Sequence, residues 1–300
     1  MESYTIDRAD FDASWAQANP ILYETAIELV FYMTFVAMFA VSTYLYYHNK
    51  VTGARFLLYS TSAMFVLGTI QITLKVVIAV FALRMVRLAV EGSSLVRTTF
   101  IHDRVVFVRY ILLTTNNAVT DSILIYRCYV VWGRAISVTF LPIMMLTAAT
   151  ILGYVTTFRD NYQLKSTISP EIAFIVSVAT NSLLTTLTAG RMWWVGREVH
   201  RASSLPGTRS YNAAAVMILE SGALYSFCVI AYLVSGAILS PPAIIINNVL
   251  TGALPQVVNI APTLIAVRVG FRRGLEARFI DRASGSGNMT FTSIRMRSLV

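Results

Sequence analysis

Ile136–Phe158 reads ISVTFLPIMMLTAATILGYVTTF, 23 residues without one charged side chain. A helix rises about 1.5 Å per residue, so this run crosses the roughly 30 Å hydrocarbon core of a bilayer. A barrel strand needs about half that length, and an open sheet leaves backbone groups unsatisfied in lipid. The run therefore reads as a transmembrane helix. Six further windows share its character: Glu24–Tyr46, Arg55–Phe81, Val105–Val131, Glu171–Val195, Ala213–Ala237 and Ala243–Val267. Together they predict an all-α polytopic membrane protein, a seven-transmembrane-helix bundle. The second window continues in helix-compatible residues, Leu83–Leu88, as far as a break at Glu91-Gly92-Ser93-Ser94. The fourth carries Pro142, and the seventh opens at Pro241-Pro242 and contains Pro255 and Pro262, which predict kinks.

Composition supports this reading. Of the 300 residues, 56 % are apolar and only 13 % charged, against about 25 % charged in soluble domains. Disorder is excluded by the same balance, with aromatics at 12 %. The net charge of +9 does not gather on one soluble face, as binding to nucleic acid requires; its cations sit between apolar runs. There they encode orientation. Lys50, Arg55, Arg127, Arg134, Arg191, Arg197, Arg201, Arg209 and the tail arginines from Arg268 to Arg297 fall on one side. Fewer cations, Arg84, Arg87, Arg97 and Arg104 among them, fall on the other. The positive-inside rule then predicts the N-terminus outside and the C-terminus in the cytosol. The plasma membrane is the expected location, and membrane lipid the first partner.

Four regions follow. Residues 1–23 form an acidic extracytosolic segment, with Glu2, Asp7, Asp10 and Asp12 against Arg8, and lack the basic start of a signal peptide. Residues 24–268 hold the seven spans. Over 269–282, Phe271, Leu275 and Phe279 recur every fourth residue among arginines, the pattern of an amphipathic juxtamembrane helix. Residues 283–300, rich in Ser and Gly at their start, read as a disordered cytosolic tail. The loop Gly196–Tyr211 is basic and, with that tail, is the candidate dock for a cytosolic signalling partner.

Ionisable groups within spans are the functional candidates. Asp121 lies eleven residues before Trp132, near the middle of the third span. Glu220 lies eight past Asn212 in the sixth, Asn259 nine before Arg268 in the seventh, and Arg127 near the inner end of the third. Matching depth predicts one polar lattice of Asp121, Arg127, Glu220 and Asn259, serving either as a switch or titrating site or as structural glue. A second group, Glu28, Lys75 and Arg109, sits nearer the outside and marks a candidate outer pocket. Lys75 alone also reads as a lysine snorkelling to the outer headgroups. Asn116, Asn117, Asn181 and Gln256 read as hydrogen-bonding glue between helices.

Catalytic patterns are missing. The histidines, His48, His102 and His200, fall in predicted loops on both sides of the membrane, which argues against an intramembrane zinc site. No Walker loop or dinucleotide fingerprint occurs, and Ser221-Gly222 has no histidine base beside it. The expectation is no enzyme, no metal and no cofactor. Cys128 and Cys228 fall within apolar runs and read as unpaired buried thiols.

Four strings carry a resemblance: Asn116–Gly133 (NNAVTDSILIYRCYVVWG), Leu187–Trp194 (LTAGRMWW), Ile218–Tyr225 (ILESGALY) and Pro255–Gly270 (PQVVNIAPTLIAVRVG). Together they resemble a large set of seven-span membrane proteins of mushroom-forming fungi, over nearly all of Glu24–Gly270. That resemblance implies an architecture and a fungal source without an activity. Similarity to fungal pheromone receptors extends only to seven spans, the N-out topology and a basic tail. Tyr126-Arg127 lacks the acidic neighbour found in animal receptors, and Asn259-Ile-Ala-Pro262 only approximates their seventh-helix motif. The functional expectation is a receptor-like heptahelical sensor, with a small-solute or proton-coupled secondary transporter as the alternative.

Overall fold

The computed structural model describes residues 8–48, 54–91, 96–162, 171–202, 208–238 and 240–285, and every element among them is helical. There are seven helices: α1 (Arg8–His48), α2 (Ala54–Val90), α3 (Val96–Val131), α4 (Ile136–Tyr162), α5 (Glu171–Ala202), α6 (Thr208–Ala237) and α7 (Pro241–Gly285). Each helix packs on the next in sequence, and α7 closes the ring on α1. α3 also reaches α5 and α7. The helices alternate in direction, so α1 begins on one face of the bundle and α7 ends on the other. These are called here the N face and the C face.

The distribution of side chains is that of a membrane protein. Val30, Met33, Tyr44, Phe140, Phe227 and Ile245 point outward and are largely exposed. Glu28, Gln71, Asn116, Gln256 and Asn259 are fully or almost fully buried. Water would penalise both arrangements, whereas lipid favours both, since an apolar surface costs nothing there and a polar interior glues helices together. The protein is an integral membrane seven-helix bundle. Six of the helices are long and apolar enough to cross a membrane by composition alone. α3 falls outside that group because Arg109, Asn116, Thr120 and Asp121 dilute it, and all four are buried between neighbouring helices.

Apolar clusters sit above and below this polar interior. Ala18 packs on Ala82 and Val86 near the N face, while Phe35, Met64 and Ile123 join α1, α2 and α3 deeper in the bundle. Tyr225 and Val229 of α6 pack on Ala253, Leu254, Val257 and Val258 of α7. The α3–α4 connection is a Schellman closure: Gly133 N–H donates to Val130 O and Arg134 N–H to Tyr129 O, at 3.1 and 2.9 Å. Gly133 takes φ 65° there, a conformation that favours glycine.

Several boundaries differ from the sequence reading. α1 begins at Arg8, so most of the expected N-terminal segment is helix continuous with the first span. α2 does continue to Val90 and turns at Glu91, as read. His102, expected in a loop, lies within α3. The expected juxtamembrane helix over 269–282 is the unbroken continuation of α7, which runs through Pro255 and Pro262 to Gly285. Cys128 and Cys228 are free thiols. Residues 203–207 of the basic loop and 286–300 of the tail lie outside the described residues.

Candidate functional site

Glu24 and Glu28 stand one turn apart on α1 and therefore on one face of that helix. That face meets α2, α3 and α7. Lys75 Nζ of α2 donates to Glu24 Oε2 at 2.5 Å, and Arg109 Nη2 of α3 donates to Glu28 Oε2 at 3.0 Å. Gln256 Nε2 of α7 donates to the other oxygen of Glu28 at 3.4 Å. Glu28 is 0 % exposed, Lys75 3 % and Arg109 8 %. Two carboxylates thus face two cations in a neutral layer that ties four helices together. Isolated charges at such depth cost several kcal/mol each, so pairing is the condition for their burial.

The layer continues one turn toward the C face. Asn116 Nδ2 of α3 donates to Asn259 Oδ1 of α7 at 3.0 Å, while Asn259 Nδ2 donates to Pro255 O. Gln71 Nε2 of α2 donates to Leu112 O of α3 at 3.2 Å. Two glycines make room for these contacts. A Cβ on Gly68 would stand 3.0 Å from Asn259 Nδ2, and one on Gly252 would stand 2.6 Å from Glu24 O.

The three residues of the expected outer pocket, Glu28, Lys75 and Arg109, are therefore brought together, as closed pairs rather than around an opening. Lys75 does not snorkel, because Glu24 takes its charge inside the bundle. Glu24 escaped the sequence reading as the first residue of its window. The available signal was its spacing from Glu28, which puts two acids on one helix face.

The expected lattice of Asp121, Arg127, Glu220 and Asn259 does not form. Asn259 belongs to the layer above. Glu220 is an exposed side chain at the C-face end of α6, paired with Arg268 of α7. Arg127 keeps its Nη1 buried with no hydrogen-bond partner among the described residues. Asp121 is 6 % exposed and lines a crevice of about 80 Å³ between α3, α4 and α5. Helical geometry explains the separation. At 3.6 residues per turn, Asn116 and Asp121 point about 140° apart, and Asp121 and Arg127 about 120° apart. Equal depth left their faces undetermined.

On the C face, aromatic rings and arginines pin the corner between α3 and α4 to α5. Trp132 Nε1 donates to Leu187 O at 3.2 Å. The Arg191 guanidinium lies 5.3 Å from the Trp132 ring centroid and 4.7 Å from that of Trp194, and Arg197 lies 4.6 Å from that of Trp193. Such stacking suits the membrane interface. Among the described residues, no group of three or more His, Cys, Asp or Glu is placed to hold a metal ion.

No family model, no curated protein and no solved structure matches this chain.

Proposed function

We propose that the protein is a receptor-like heptahelical sensor of the plasma membrane, with its N face outside and its C face toward a cytosolic signalling partner. The observation that carries this reading is the unequal strength of its interhelical ties. In the middle of the bundle, α1, α2, α3 and α7 share buried charges whose separation costs several kcal/mol. At the C face, the ion pair that fastens the end of α6 to α7 is Glu220–Arg268, with side chains 61 % and 29 % exposed. Exposed pairs contribute about 0–1 kcal/mol. A small difference in ligand or partner affinity then suffices to shift α6 between two positions.

The segment Gly196–Tyr211, which holds the last turns of α5 and the first turn of α6, carries Arg197, Arg201 and Arg209 and is the proposed dock for that partner. Orientation is part of the proposal and rests on the bias of Lys and Arg between the two faces. Membership of the fungal seven-span set is also part of the proposal and rests on the four strings quoted above.

The test is nucleotide exchange on a panel of G-protein α-subunits, with the protein in nanodiscs. Wild type is expected to raise exchange above empty discs, and Glu220→Gln to raise it at least threefold further by releasing α6. Exchange at the empty-disc level for both proteins, each well folded, would overturn the receptor reading. Asp121, an acid lining a crevice in the bundle, favours the transporter as the second reading. Solute or proton flux into sealed vesicles, abolished by Asp121→Asn, would decide for it.

A further inference from the structure

We infer that the crevice between α3, α4 and α5 is a binding site for one monovalent cation of sodium size, held by Asp121. Acceptors line the part of the crevice around Asp121. Asp121 is more than nine-tenths buried and has no hydrogen-bond or ion-pair partner among the described residues. Asn117 Oδ1, on the next turn of α3, is buried and likewise without a hydrogen-bond partner. Thr150 of α4 has donated its only hydroxyl proton to Leu146 O at 2.8 Å. Its remaining lone pairs can only accept. Ser177 of α5 adds a further hydroxyl, shared with Tyr225 at 3.1 Å.

A carboxylate grouped with oxygen acceptors among apolar neighbours repels anions and draws a hard cation. Asp121 is the one carboxylate among the lining residues, so a single positive charge makes the site neutral. A divalent ion would leave an excess charge buried in the bundle, at the cost that buried unpaired charge carries. The volume of about 80 Å³ exceeds several-fold the space one water requires, enough for a cation with part of its hydration. The site stands apart from the Glu24–Lys75 and Glu28–Arg109 layer, on another face of α3, and its occupancy does not depend on whether the bundle signals or transports.

The experiment is thermal unfolding of the full chain in nanodiscs at fixed ionic strength, with sodium chloride exchanged for choline chloride. Sodium is expected to raise the wild-type midpoint saturably, by about 3 °C at ten times its dissociation constant. Asp121→Asn should abolish the rise, and Asn117→Ala should move its half-maximal sodium concentration upward at least threefold. Radioactive sodium should bind wild type at one ion per chain, uncompeted by choline, which keeps the proposal testable if Asp121→Asn fails to fold. Equal midpoints in the two salts would overturn it. So would a sodium effect that survives Asp121→Asn, or the absence of bound radioactive sodium.

Discussion

Arg109→Leu is expected to be among the most damaging single substitutions in the molecule, lowering stability by about 3–5 kcal/mol. It leaves Glu28, fully buried, with only the Gln256 amide at 3.4 Å as a hydrogen-bond partner among the described residues. The expected readout is a midpoint of unfolding lower by on the order of 10 °C in nanodiscs, with aggregation on detergent extraction. Removing both charges has a different consequence. Glu28→Leu combined with Arg109→Leu replaces the pair by apolar volume and should recover most of the loss, because the stranded charge dominates the single-mutant effect. A double-mutant cycle measures this coupling directly. Lys75→Met should cost less, since Glu24 is 16 % exposed at its side chain and retains some access to a polar environment. An Arg109→Leu protein as stable as wild type would contradict the role given to the layer.

Gly252→Ala is the second large effect. The new methyl would lie 2.6 Å from the carbonyl oxygen of Glu24 and 3.1 Å from its Cα, so the obstruction is backbone. No rotamer change relieves it. α1 must move away from α7 at the level where Glu24 and Glu28 reach their partners, and the expected loss is about 3 kcal/mol, at the upper end of overpacking costs. Gly190→Ala on α5 is the control, as its Cβ meets nothing within 4 Å. There the better helix propensity of alanine should raise stability by about 0.5–1 kcal/mol. Equal midpoints for the two variants would show that the close approach of α1 and α7 has been misread.

How much of this was legible in the sequence depends on which coordinate a residue needed. Depth in the membrane is encoded along the chain, by the spacing between a residue and the nearest interfacial charge. That is why the seven spans could be read, and why Glu28, Lys75 and Arg109 could be assigned to one level. Azimuth is set by packing between distant segments, and the apolar residues of a lipid-facing helix give it little signal, since they cover every side. Asp121 and Asn259 were read at one depth, yet Asn259 meets Asn116, five residues before Asp121 and about 140° around α3 from it. Glu220 was misplaced by its apolar surroundings, Ala213–Leu219, which suggested burial. Instead, the C-face end of α6 leaves it exposed beside Arg268. α7 was read as ending near Arg268 because the charge pattern changes there, yet Gly270 and Gly274 do not interrupt the helix.

The central claim is an asymmetry, with a bundle braced by buried charges at mid-depth while the C-face end of α6 is tied to α7 by an exposed ion pair. The most direct test is a pair of spin-label distance distributions in nanodiscs, on a protein whose two cysteines have been replaced. One pair, at Val216 of α6 and Ile136 at the pinned start of α4, reports the C face; the other, at Tyr23 of α1 and Leu83 of α2, reports the N face. All four side chains are exposed. Glu220→Gln should broaden the Val216–Ile136 distribution or add a second, longer population, and leave Tyr23–Leu83 unchanged. An unaltered Val216–Ile136 distribution, or equal changes at both ends, would contradict the account.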